Sequence, residues 1–143
     1  MYRGKYEYNL GDKGRLFIPA DFRRGLSSKA KGSFVVTKWF DKCLVLYPLD
    51  EWLKVESKLR QYPTSDAMTR RGVRWFTANA REVKLDSQGR IMVPKYLLEF
   101  AGINKEVTII GVINRIEIWD TKVYESEGEA EPTYIKGLPD LNL

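Results

Sequence analysis

Two arginines each follow a glycine in a phrase that occurs twice: Leu10-Gly11-Asp12-Lys13-Gly14-Arg15-Leu16-Phe17-Ile18-Pro19 and Leu85-Asp86-Ser87-Gln88-Gly89-Arg90-Ile91-Met92-Val93-Pro94. An arginine on a rigid turn presents a planar fork of donors to a phosphate, or to the O6 and N7 acceptors of guanine. The same guanidinium can instead close on a nearby carboxylate and lock the turn. The second role is expected of Arg90, with Asp86 as its partner. The first is expected of Arg15, because Arg3, Lys5, Lys13, Arg23 and Arg24 make its surroundings basic. Gly14 and Gly89 are expected to take a positive φ that any Cβ would penalise.

Other chemistry is sparse. The chain has no histidine, which excludes Ser-His-Asp and Cys-His sites, and one cysteine, Cys43, which makes a zinc site implausible. It has no P-loop and no dinucleotide fingerprint. An enzyme is therefore not expected, nor a metal, a cofactor or a small-molecule substrate. Arg70, Arg71 and Arg74 lie among Met68, Val73, Trp75 and Phe76. That mixture reads as a packing helix between repeats or subunits rather than a recognition helix.

The elements that must position these residues follow from the repeat, whose two phrases are offset by 75 residues. In each copy, strand, Gly turn and strand read as a β-hairpin (Tyr6–Leu10 with Arg15–Ile18, then Ala80–Leu85 with Arg90–Val93). Proline then opens a short helix, Ala20–Leu26 or Pro94–Ala101. Two more strands follow: Ser33–Lys38 and Cys43–Tyr47 in the first copy, Val107–Gly111 and Arg115–Trp119 in the second. A three-residue deletion near Arg24–Lys31 brings the later strands into line at an offset of 72. Helices are expected over Leu49–Gln61, from the Thr64-Ser65-Asp66 caps to about Phe76, and over Thr121–Glu125. The reading is a β-rich α+β chain: a first repeat at 1–50, connecting helices at 51–78, a second repeat at 79–125 and an acidic flexible tail at 126–143. Each half is too small to bury a comfortable core alone, so the halves should interleave. Arg23-Arg24 aligns with Leu97-Leu98, which predicts a basic ridge on one copy and an apolar contact on the other.

Charge divides the chain unevenly. Residues 1–62 hold 13 Lys and Arg against 7 Asp and Glu, whereas residues 125–143 hold 1 against 5. A basic first half fits a polyanionic partner. The lone cysteine fits a reducing cytosol, and no apolar run is long enough for a membrane span or a secretory signal. The expected setting is cytoplasmic and nucleoid-associated, with no membrane partner.

The chain resembles the MraZ family of bacterial transcriptional regulators. The likeness rests on Met1-Tyr2-Arg3-Gly4-Lys5-Tyr6, the two Gly-Arg phrases, Cys43-Leu44-Val45-Leu46-Tyr47-Pro48-Leu49, and Ile110-Gly111 with Asn114-Arg115-Ile116-Glu117-Ile118-Trp119. It covers about residues 1–125. The resemblance implies two pseudo-symmetric AbrB-like swapped-hairpin β-barrel units with short peripheral helices, assembled as a homo-oligomeric ring. It also implies double-stranded DNA as the partner: spaced promoter repeats upstream of the division and cell-wall gene cluster, usually repressed. The related AbrB DNA-binding domain uses arginines that match Arg15, Arg23 and Arg24; a further one falls on Tyr8. The family pattern Asp-x-x-x-Arg is kept by Asp86 and Arg90, but the first copy has Gly11 at the aspartate position and Asp12 beside it. The alternative reading is a protein-interaction module whose basic face meets an acidic protein, as antitoxin-type swapped hairpins can.

Overall fold

The structure is a computed structural model that describes residues 1–128 together with 137, 138 and 140. From residue 129 onward, the expected acidic tail otherwise lies outside the described residues. In chain order the elements are β1 (Lys5–Asn9), β2 (Arg15–Phe17), α1 (Ala20–Arg24), β3 (Ser33–Lys38), β4 (Leu44–Pro48), α2 (Leu49–Arg60) and α3 (Ala67–Ala78). The second copy follows as β5 (Arg81–Lys84), β6 (Arg90–Met92), α4 (Lys95–Ala101), β7 (Glu106–Val112), β8 (Arg115–Asp120) and α5 (Thr121–Val123). The fold is mixed α+β with antiparallel sheets.

The strands pair across the copies. One sheet has six strands in the order β1-β7-β8-β4-β3-β5, and β2 pairs with β6 in a separate two-stranded ribbon. Thus β1 lies against β7, β5 against β3, and β4 against its repeat-mate β8. The expected β1–β2 and β5–β6 hairpins are not formed. Each Gly turn sends its two strands into different sheets, where partners from the other copy bury more apolar surface than a three-residue hairpin could. Among the described strands, β1 and β5 are the edges of the six-stranded sheet.

Alternation along the strands gives the large sheet two buried faces. Phe34, Val36, Leu44, Leu46, Ile116 and Ile118 face a core shared with Leu16, Ile91, Phe22 and Leu97 from the ribbon and the two short helices. Leu16 and Ile91 are each 1% exposed, and burial of that kind stabilises by about 1.5–3 kcal/mol per side chain. Val35, Val45 and Tyr47 point the other way, under Trp52 of α2, with Phe76 of α3 packed against them. In the second copy, Trp119 takes Tyr47's place and is covered by Tyr124.

Pro48 and Asp66 precede α2 and α3 as N-caps, and the Asp66 carboxylate accepts from the Thr69 N–H at 2.8 Å. Ile113, between β7 and β8, has φ +66°. A β-branched residue in that region is strained by about 1–2 kcal/mol.

Candidate nucleic-acid interface

The β2–β6 ribbon brings the two Gly-Arg phrases side by side. Its register sets Arg15 opposite Met92, Leu16 opposite Ile91, and Phe17 opposite Arg90. Leu16 and Ile91 point into the core, so Arg15, Phe17, Arg90 and Met92 share the outer face. Phe17 is 44% and Met92 50% exposed. Bonds from the Ile18 N–H to the Gly89 carbonyl (3.0 Å) and from the Val93 N–H to the Gly14 carbonyl (2.9 Å) extend the ribbon into both turns.

Both turns use positive φ at glycine, +76° at Gly14 and +79° at Gly89, as their sequence predicts. The Lys13 backbone is left-handed as well, at φ +60°, and its side chain is exposed at the apex of the first turn.

The two turns are held differently. In the second, the Asp86 carboxylate accepts from the backbone N–H groups of Gln88 and Arg90, both at 2.9 Å, and from Arg90 Nε at 3.0 Å. Arg90 is thereby tethered, with its guanidinium over the Phe17 ring at 5.8 Å. In the first turn Gly11 stands at the aspartate position, and its own N–H donates to the Arg15 carbonyl at 2.8 Å. Asp12 does not replace the missing carboxylate: its backbone carbonyl accepts from the Arg15 N–H. Among the described residues the Arg15 guanidinium has no hydrogen bond and no ion pair. Arg15 is the uncommitted arginine of the ribbon.

The bonds from Arg90 and Gln88 hold the Asp86 carboxyl below its ordinary value of 3.8, the backbone N–H of Arg90 contributing most. A depressed carboxylate stabilises the fold above pH 3.8, and that contribution is lost as pH falls through the lower folded-state value. Asp86→Asn should therefore melt below the parent chain at neutral pH, and the difference should close in acid. Thermal melts at pH 7 and in acid check this; a gap independent of pH would mean that the charge is not what holds the turn.

The other basic residues expected at the site scatter. In α1 and α4 the bonds from Phe22 and Arg23 to Pro19 are repeated by those from Leu97 and Leu98 to Pro94. The structure thus aligns Arg23 with Leu98 and Arg24 with Glu99, which corrects the sequence alignment by one position, because the offset of 75 persists through the helix. Leu98 packs beside Gly14, and Arg23 takes the same place over Gly89 while its Nε donates to the Ile18 carbonyl at 3.0 Å. Arg23 is therefore anchored beside the second turn. Arg24 is exposed, paired with Asp21, which also accepts from the Tyr6 hydroxyl at 2.7 Å. Lys5 lies opposite Ile110 on β1, with its ammonium 5.8 Å from the Tyr124 ring, and Arg3 packs beside Gly111. Both sit at the end of β1 away from the turn, so the structure does not gather them with Lys13 and Arg15.

Sequence reasoning missed Phe17 and Met92. The signal lay in the alternation Arg-x-Phe and Arg-x-Met, which gains meaning only once the two strands are known to pair. Cys43 is fully buried, and burial pushes its thiol far above the ordinary range. Among the described residues no group of three or more Cys, Asp or Glu side chains is placed to hold a metal ion, and no helix is long and apolar enough to cross a membrane.

The family model described as "MraZ protein, putative antitoxin-like" matches residues 1–74 and 76–130. Three proteins, each named transcriptional regulator MraZ, are similar along their length. That of Acetivibrio thermocellus is 47% identical over 126 residues, covering 88% of this chain and 85% of the relative. Those of Syntrophomonas wolfei and Halothermothrix orenii are 45% and 46% identical, with all of both chains covered.

Proposed function

The chain belongs to the MraZ family, and on that premise we propose that it is a sequence-specific, double-stranded-DNA-binding transcriptional regulator that reads DNA with the β2–β6 ribbon. The observation that carries this reading is the uncommitted Arg15 guanidinium on a ribbon with an exposed outer face. A two-stranded antiparallel ribbon is of a size to enter the major groove, where each base pair offers a distinct set of donors, acceptors and methyl groups. Arg15 reads guanine and Lys13 reaches the same groove from the turn apex. Phe17 and Met92 give apolar contact to thymine methyls. Arg24 exchanges Asp21 for a phosphate as the ribbon docks, and Arg23 holds the second turn in place. Arg3 and Lys5, farther along β1, add long-range attraction rather than base contacts.

Each ribbon carries few contacts. Useful affinity therefore comes from several copies engaging spaced repeats at once, whose avidity exceeds that of any single contact. The oligomer is a ring, and the target is the promoter of the division and cell-wall gene cluster that includes the protein's own gene, which it represses. The working units are the repeats at 1–50 and 79–125, joined through 51–78. The relatives are named as regulators, so no catalytic step is assigned.

Fluorescence anisotropy with a labelled duplex from the region upstream of the gene, against scrambled DNA at two salt concentrations, tests this. Tight binding to the native duplex alone at physiological salt is expected. Equal weak binding to both, vanishing with salt, would reduce DNA to a nonspecific polyanion and favour an acidic protein partner.

A further inference from the structure

Asp21, in the first turn of α1, joins side chains from two elements. One carboxylate oxygen accepts from the Tyr6 hydroxyl of β1 at 2.7 Å, and the other pairs with Arg24 in the last turn of the same helix. The Tyr6 ring packs edge-on against Phe22 at 5.3 Å, so the strand fixes where the hydroxyl sits and which way the carboxylate faces. The bond to Asp21 pushes the Tyr6 hydroxyl above its ordinary value of 10, which keeps it a donor at neutral pH.

The fold does not need this carboxylate. At the repeat offset of 75, the counterparts of Tyr6, Asp21 and Arg24 are Arg81, Tyr96 and Glu99. There strand and helix meet through the Arg81 guanidinium, 5.4 Å from the centre of the Tyr96 ring. Asp86 makes a second contrast, because it accepts from two backbone N–H groups as well as from Arg90 and so holds its turn together. Among the described residues the Asp21 carboxylate accepts from no backbone group, and the side chains of Asp21 and Arg24 are 59% and 71% exposed. Their pair therefore opens at little cost, while Tyr6 keeps its bond to Asp21.

The pair also stands where DNA would meet it. Helix α1 follows β2 through Ile18 and Pro19, and Arg23 ties it to the Ile18 carbonyl over the Gly89 turn. Asp21 and Arg24 are thus fixed beside the second-turn end of the ribbon. A carboxylate and a phosphate offer a guanidinium the same paired oxygen acceptors.

We propose that Asp21, oriented by Tyr6, is a built-in competitor of DNA phosphate for Arg24 and holds the affinity of each ribbon below what its cations could reach. The inference rests on the phosphate contact of Arg24 in the proposed function and names what regulates it. Competition is for a phosphate and not for a base. It therefore weakens binding to every sequence by the same factor and leaves the preference set by Arg15 unchanged. An exposed ion pair of this kind lowers affinity about two- to fivefold for each engaged ribbon. Where several ribbons bind together, the factors multiply.

Anisotropy on native and scrambled duplexes, at a salt concentration where both bind, tests this with Asp21→Asn, which removes the charge and keeps an acceptor for Tyr6. The variant should bind both duplexes about two- to fivefold more tightly for each engaged ribbon and melt close to the parent, a gain that misfolding does not produce. Asp21→Glu, which restores the charge, should return toward parental affinity. Tyr6→Phe keeps the ring on Phe22 but leaves Asp21 without its donor, and should show part of the gain. In an Arg24→Ala background neither Asp21→Asn nor Tyr6→Phe should have much effect, because the competition has lost its object. Unchanged or weaker binding by Asp21→Asn would overturn the proposal. So would a gain of the same size without Arg24, which would make Asp21 a charge that repels DNA directly. No gain from Tyr6→Phe would remove Tyr6 from the device. The ribbon as a sequence reader fails on a different result, equal binding of the parent chain to both duplexes, and the gain from Asp21→Asn is measured on scrambled DNA in either case.

Discussion

Arg15→Ala should lower affinity for the native duplex by about 5- to 150-fold for each engaged ribbon, or about 1–3 kcal/mol. It should also bring native and scrambled DNA closer together. The size of the effect follows from what the side chain is doing before DNA arrives. Arg15 has no hydrogen bond or ion pair to give up among the described residues, so its donors meet DNA without first breaking an internal contact. Arg90 is in the opposite position, held by Asp86 at 3.0 Å and lying over Phe17. Arg90→Ala should therefore cost less in DNA affinity than Arg15→Ala and more in melting temperature. Arg24→Ala gives a third signature: weaker binding to all sequences alike, with a salt slope smaller by about 1. Anisotropy on native and scrambled duplexes across a salt series distinguishes the three. Equal losses for Arg15→Ala on both duplexes would make Arg15 a phosphate contact and leave sequence reading to other side chains.

What the sequence disclosed, and what it withheld, follows from the range of the forces involved. The positive φ at Gly14 and Gly89 and the starts of α1 and α4 after Pro19 and Pro94 were legible because each is fixed within a few residues. The tie between Asp86 and Arg90 was legible for the same reason. Turn chemistry specifies that the chain reverses, but not whom the strands then join. Tyr6 of β1 pairs with Ile109, over a hundred positions away, rather than with β2, so the hairpins were misread. The same gap hid the ribbon face, because Phe17 and Met92 meet the arginines only across a pairing between repeats. The match of Arg23 to Leu98 was lost to a one-residue ambiguity in where the deletion falls. Helix α3 shows a further limit. Its apolar stripe is the same in sequence whether this chain or another covers it.

Gly14→Ala should be the most damaging single-methyl change in the site, at about 2–5 kcal/mol, and should lower the melting temperature by roughly 10 °C. Two costs add. At φ +76° any L side chain is strained, and that alone amounts to about 1–2 kcal/mol. The new Cβ would also lie 2.5 Å from the Val93 carbonyl oxygen and 3.2 Å from Leu98 Cδ1. Val93 cannot retreat easily, because its N–H donates to the Gly14 carbonyl and its side chain is buried in the core. Relief therefore means opening the ribbon at the end where Lys13 and Arg15 are presented, and DNA affinity should fall with stability. Gly89→Ala is the control. The same methyl there meets the Arg23 guanidinium, with Nη1 at 2.5 Å, the far end of a flexible side chain. Arg23 can swing away at the expense of one hydrogen bond to Ile18, so Gly89→Ala should cost less than Gly14→Ala, and in an Arg23→Ala background it should cost less again. Thermal or urea unfolding of the two alanine variants and the double variant measures this ordering. Equal costs for the two glycines would mean that backbone strain alone sets the penalty and that the Val93 contact yields.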